Sequence, residues 1–158
     1  MELRPATPQD AESIAGVWHR GWADGHEGNV PEGLYAHRQA DHFRRLVESR
    51  IGRTTVAVSE GVVGFVTVHD DEVEEMYVDA SARGSGVAAA LLSHGEQLVA
   101  EQHDVAWLAD VPGNARARRF YEKCGWVDGG PLEYTAETTD GPFVVPVRRY
   151  EKRVRQTV

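Results

Sequence analysis

The chain has 158 residues, 41% of them hydrophobic and 27% charged, and its 17 Lys and Arg against 25 Asp and Glu give a formal net charge of −8. That balance fits a single compact domain spanning residues 1–158 and excludes the polar, aromatic-poor profile of a disordered chain. A field of this sign repels polyanions, which argues against nucleic acid as a partner and favours a cationic substrate, although surplus acid also serves solubility alone. No apolar run approaches the roughly 20 residues that span a bilayer, and Met1-Glu2-Leu3-Arg4-Pro5 lacks the core of a signal peptide. The expectation is a cytoplasmic protein with no membrane partner. Cys124 is the only cysteine, which precludes an intrachain disulfide and gives little support for a metal site, so none is expected.

Glu2 to Arg4 reads as a short edge strand ended by Pro5. Thr7-Pro8-Gln9-Asp10 then offers an N-cap, a proline at the first helical position and an acidic first turn. Ala11, Ile14, Ala15, Trp18 and Trp22 recur at helical spacing, predicting an amphipathic helix to about Trp22 whose stripe packs on a sheet. Gly25, Gly28, Pro31 and Gly33 interrupt it, and Phe43, Leu46 and Val47 mark a second helix from about Ala36 to Arg50. Thr54 to Ser59, Val62 to His69 and Glu72 to Val78 are strand-like runs separated by Glu60-Gly61 and Asp70-Asp71, predicting three antiparallel strands.

The pattern then becomes β-α-β. A long helix from about Gly86 to Glu101 buries Val87, Leu91, Leu98 and Val99, and Ala106 to Val111 forms the next strand. Asn114 can cap a helix running through Cys124 and stopped by Gly125, and the remainder reads as two strands joined around Thr139-Asp140-Gly141-Pro142. The sum is an α+β domain with a mixed, mostly antiparallel sheet of about six or seven strands and helices on both faces. Pro146, which cannot donate to a ladder, predicts an edge or a bulge in the last strand.

Arg83-Gly84-Ser85-Gly86-Val87-Ala88 lies between a predicted strand and a predicted helix. Orphan amides and the positive end of the helix dipole collect an anion there, glycines let the backbone come close, and Arg83 can add a charge-assisted bond. A plain glycine turn opening a helix is the competing reading. Gly84-x-Gly86-x-x-Ala89 also satisfies a dinucleotide fingerprint, but the preceding three strands and two helices do not match the start of such a unit.

Glu75-Met76-Tyr77-Val78-Asp79, then Arg83-x-x-Gly86-x-Ala88 and Leu91-Leu92, resembles the cofactor motif of the GNAT acyltransferases. Asn114 followed by a helix and Phe120-Tyr121-Glu122-Lys123-Cys124-Gly125-Trp126 resembles that family's second motif. The likeness covers Val73 to Trp126, about a third of the chain. Ala88 stands where glycine is commoner and Trp126 where phenylalanine is.

The resemblance implies a GNAT-like sheet and an N-acetyltransferase that uses acetyl-CoA, or another acyl-CoA, to acylate a primary amine of a small molecule, a peptide N-terminus or a lysine by direct attack. It places the pyrophosphate on Arg83, Gly84, Ser85, Gly86, Val87 and Ala88, and the pantetheine arm along Met76, Tyr77 and Val78, with Asn114 and Ala117 opposite. The Met76 amide would polarise the thioester carbonyl. Tyr121 would protonate the departing thiolate, since a phenol near pKa 10 can serve a thiol near about 8.5. Arg116, Arg118 and Arg119 can lend positive charge to phosphates.

An acceptor ammonium must first lose a proton, and Glu72, Glu74 and Glu75 are the candidate bases. Strand alternation would put Glu72 and Glu74 on the face of Met76, with Glu75 opposite. Trp18, Trp22, His26, Tyr35 and His37 crowd the glycine-rich stretch, so Trp22, His26 and Tyr35 are expected to touch the acceptor, although Trp18 and Trp22 also complete a buried stripe. A catalytically silent coenzyme A-binding sensor is the alternative, and a homodimer is left open.

Overall fold

A computed structural model describes residues 1–26, 40–111, 114–138 and 141–155. These contain seven strands, β1 (Glu2–Pro5), β2 (Thr54–Val58), β3 (Val62–His69), β4 (Glu72–Val78), β5 (Val105–Asp110), β6 (Val127–Thr138) and β7 (Gly141–Arg153). Four α-helices accompany them: α1 (Ala11–His26), α2 (Ala40–Arg50), α3 (Val87–Ala100) and α4 (Ala115–Lys123). The first helix outlasts its predicted end at Trp22 by a turn, reaching Gly25 and His26. A single helical glycine costs only about 1 kcal/mol, less than the buried stripe of α1 returns. The predicted start of α2 at Ala36 lies outside the described residues.

The sheet order is β1-β2-β3-β4-β5-β7-β6. Every neighbouring pair is antiparallel except β4 and β5, which run parallel and share one register pair, Glu72↔Trp107. Beyond that pair the two strands part. A 3-10 turn (Pro8–Asp10) leads into α1, where Arg4 clamps Asp10 through two bonds of 2.8 and 2.9 Å and the Thr7 amide donates to the same carboxylate at 2.8 Å. The guanidinium bonds hold the Asp10 carboxyl down at about 2.

Helices cover both faces. On one, Ile14, Val17 and Trp18 of α1 and Phe43 and Val47 of α2 pack over Val56 and Phe65. On the other, Leu91, Leu92 and Val99 of α3 lie over Val66, Ala106 and Leu108, with Trp126 and Tyr150 closing the layer. Pro146 falls past Asp110↔Arg148, the last β5 pair, so β7 is locally an edge at the proline although it is a central strand elsewhere. A register shift falls between Asp128 and Gly130, near the start of β6 and away from Pro146.

The register of β4 departs from simple alternation. Thr67 pairs with Glu75 but Val68 pairs with Val73, so Glu74 is an extra residue with no opposite number, a β-bulge. Val73 and Met76 therefore face the α3 side, while Glu74 and Glu75 both reach Arg50 of α2 on the other. Glu72 shares that second side, bonding Tyr134. The expectation of Glu72 and Glu74 beside Met76 with Glu75 opposite is thus corrected: the bulge puts all three carboxylates together, away from the Met76 side chain.

Candidate active site

Where β4 and β5 part, a cavity of about 560 Å³ opens, lined by β4 from Val73 to Val78, by the end of β5 and by the start of α4. It continues to the loop before α3 through Arg83, Gly84 and Gly86. Gly84 and Gly86 have φ of 77° and 85°, a left-handed conformation that glycine adopts without strain, and no atom lies within 4 Å of where either Cβ would stand. Gly86 is the N-cap of α3 and has no capping side chain. The first helical bond runs from Ala90 N–H to Gly86 O, so the amides before it are the orphan donors of a helix start, facing a cavity.

The expected cofactor residues gather here. Met76, Tyr77, Val78, Arg83, Gly84, Gly86, Val87, Ala88, Asn114, Ala117 and Tyr121 all line the cavity. Ser85 does not; its hydroxyl and its amide both turn back to the Ala82 carbonyl, the amide at 3.3 Å. Asn114 caps α4 by accepting from the Ala117 amide at 3.3 Å, which leaves its side-chain NH₂ available to a ligand. Tyr121 is held between Phe120, Tyr150 and Trp126, with ring centroids 5.6, 6.0 and 6.4 Å away. Among the described residues its hydroxyl makes no hydrogen bond, and burial raises its pKa well above the ordinary phenol range.

The three acids have different surroundings. Glu72 lies outside the cavity and accepts from the Tyr134 hydroxyl at 2.8 Å, bracing β4 to β6 at the closed end of the split, and burial pushes its carboxyl up to about 7. Glu74 lines the cavity and is paired with both Arg50 and Arg53 at 3.2 Å. Glu75 also lines it and bonds Arg50 through Oε1, but its Oε2 is buried without a hydrogen-bond partner among the described residues, and burial raises its pKa well above the carboxylate range.

The acceptor expectations fare differently. Trp22 is 5% exposed and packs its ring 6.0 Å from Phe43 in the core, so its assignment to the acceptor site is corrected to packing. The same stripe that ties α1 to α2 claims it. His26 ends α1, and Tyr35 and His37 lie outside the described residues. Among the described residues, Gly21 is the one of α1 that reaches the cavity, where a Cβ would stand 2.6 Å from Tyr77 Cδ1. Sequence reading missed it, because a glycine inside a helical stripe gives no signal of close packing. It also missed Asp110, which lines the cavity at the end of β5.

A mixed sheet split beside a glycine loop at a helix mouth is the architecture of the acyl-coenzyme A N-acetyltransferases. Residues 18–126 match the family described as Acetyltransferase (GNAT) family. The chain belongs to that family, whose cofactor is acetyl-CoA. No curated protein matches it in sequence. Among solved structures it is similar to a GCN5-related N-acetyltransferase from Rhodopseudomonas palustris, with 20% identity over 96% of this chain and 94% of that one and a TM-score of 0.71. It is likewise similar to yncA from Salmonella typhimurium, solved with its cofactor acetyl-CoA, at 15% identity over 100% and 96% of the chains and a TM-score of 0.69. PaiA N-acetyltransferase from Thermoplasma acidophilum, in complex with coenzyme A, gives 17% identity over 96% and 98% and a TM-score of 0.69. At these identities the likeness establishes the fold.

Proposed function

We propose that this chain transfers the acetyl group of acetyl-CoA to a primary amine of a small molecule, a peptide N-terminus or a lysine by direct attack. The observation that carries the reading is one continuous cavity joining the orphan amides of the α3 mouth to Tyr121 on one side and to Glu74 and Glu75 on the other. The residues fit the cofactor: a diphosphate suits the open glycine cradle with Arg83, and the main chain of Met76 to Val78 with Asn114 suits pantetheine amides. Acetyl-CoA supplies an activated carbonyl and a thiolate leaving group.

The protein's part is to orient, exclude water and move two protons. The Met76 amide polarises the carbonyl as an oxyanion donor, a role indifferent to its side chain. Glu75, with its unpartnered oxygen, takes the acceptor's proton; burial makes it a stronger base than an ordinary carboxylate and narrows its gap to an ammonium. Tyr121 donates its phenolic proton to the thiolate, and its raised pKa keeps that proton in place until one is needed. The same burial weakens the phenol as an acid, so the transfer relies on a leaving thiolate whose basicity that burial would raise as well.

An amine panel followed by release of free thiol tests the reading, alongside the melting temperature with acetyl-CoA. Tyr121→Phe is expected to lower kcat by about 10²-fold with cofactor affinity unchanged. Thermal stabilisation by acetyl-CoA without thiol release toward any amine would instead indicate a silent cofactor-binding domain.

A further inference from the structure

Asp110 has no part in the chemistry above, yet it occupies an unusual position. It is 8% exposed at the end of β5, its Oδ2 is buried with no hydrogen-bond partner among the described residues, and it lines the same cavity as Tyr121. A buried carboxylate with an unsatisfied oxygen costs stability, which makes it a candidate for a functional group. Alternation places it with Ala106 and Leu108 on the α3 and α4 side of the sheet, opposite the three glutamates.

Its surroundings are sparse. Arg118 of α4 is the cation that offsets its charge, although the Arg118 Nε is itself buried without a hydrogen bond. Arg148, its register partner on β7, is bound to Asp128 at 2.7 Å. Tyr121 of α4 and Tyr150 of β7 both feel the Asp110 charge, and Tyr150 points its hydroxyl toward Glu122 at 3.4 Å. The described β4 residues of this face that line the cavity are Val73, Met76 and Val78, none of them titratable. The cavity's other titratable residues are the cations Arg83, Arg116 and Lys123, which have no proton to regain, and Glu74, Glu75 and Tyr77 on the opposite face, so Tyr121 is the phenol that Asp110 can serve.

We infer that Asp110 is the proton reservoir behind Tyr121, returning a proton to the phenolate after each transfer through one water in the cavity. The inference rests on Tyr121 acting as general acid. The balance is simple: the Tyr121 O–H bond breaks as the thiol S–H bond forms, then the Asp110 O–H bond breaks as the Tyr121 O–H bond forms again. The carboxylate left behind regains its proton from solvent or from the one released by the acceptor amine. The direction is downhill, because burial lifts Asp110 to about 7 and Tyr121 well above the ordinary phenol range. Asp110 thus acts through Tyr121 and is a positioning residue.

Two readouts on the 158-residue chain test this, using acetyl-CoA and the best acceptor from the amine panel. In the first, kcat of the wild type falls as pH rises through about 7, where Asp110 loses its proton, and Asp110→Asn removes that limb while lowering kcat about tenfold. The same substitution in a Tyr121→Phe background is expected to add nothing. Equal losses in both backgrounds, or loss of the ascending limb instead, would overturn the relay, the latter by making Asp110 a base. Should Tyr121→Phe itself leave turnover intact, the general-acid reading fails first, and that result is distinguishable from an effect of Tyr121→Phe without one of Asp110→Asn.

The second readout needs no cofactor. The tyrosinate absorbance assigned to Tyr121, taken as the difference from Tyr121→Phe, is expected to rise at lower pH in Asp110→Asn because the neighbouring negative charge is gone. An unmoved titration would show that the two groups are uncoupled and sink the proposal. Folding is checked by melting. A carboxyl raised in the folded state makes wild-type stability fall as pH climbs from about 4 to about 7, so the Asn variant gains on the wild type through that window and holds its lead above it.

Discussion

The two faces of the β4–β5 opening are built from different materials. On the α3 side the chemistry is main-chain: left-handed glycines at 84 and 86, amides at a helix mouth and the exposed edge of a strand. On the α1 and α2 side it is side-chain: Glu74 and Glu75 gathered by Arg50, with Arg53 at the rim and the Trp18 ring 5.8 Å from the Arg50 guanidinium. A backbone site tolerates any side chain compatible with its dihedrals. A charge cluster depends on each member, because removing one partner leaves the others buried and unpaired.

Removing Arg50 breaks the second face while leaving the first intact. Arg50→Ala is expected to lose about 3 kcal/mol at neutral pH, read by denaturant unfolding. Glu75 is raised in the folded state, and more so without its cation, so the loss should shrink as pH falls toward the unfolded carboxylate value of 4.5. A loss independent of pH would mean that Arg50 contributes packing and not charge.

Gly21→Ala strikes the junction of the two faces. The new methyl would lie 2.6 Å from Tyr77, whose ring is confined by Trp18 and Phe65 at centroid distances of 6.4 and 6.0 Å. Overpacking of this kind costs about 2 kcal/mol and should appear as a lower Tm. Gly86→Val tests the first face alone. Space is open there, so the cost is dihedral only: a β-branched residue at φ 85° is strained, and calorimetry should show acetyl-CoA binding about tenfold weaker. Unchanged affinity would detach the glycine cradle from the diphosphate.

How much of this was legible in the sequence follows the same division. The cradle could be read because glycine spacing and a helix start are local signals, and Asn114 to Trp126 is one contiguous helix and cap. The acid cluster could not. Its three glutamates lie within one short stretch of β4, but the face they share is decided by the bulge at Glu74, and the cation that gathers Glu74 and Glu75 lies on α2, 24 and 25 residues away from them. Trp22 shows the opposite limit: its helical periodicity was read correctly, but periodicity describes a buried stripe and says nothing of a pocket. Ser85 sits in the right loop and points out of it, a rotamer choice fixed by the Ala82 carbonyl.

The single register pair between Glu72 and Trp107 makes the sheet two wings, one of four strands and one of three. Asp71 stitches the seam with its carbonyl to the Trp107 amide at 3.1 Å and its carboxylate to the indole at 3.0 Å. Past that stitch the wings diverge like an unzipped collar, and the inner edges of β4 and β5 lack the ladder that a closed sheet would supply. On the reading proposed above, an extended guest carrying its own amides would complete the ladder as an eighth, removable strand. The molecule would then borrow rigidity across its middle from what it holds.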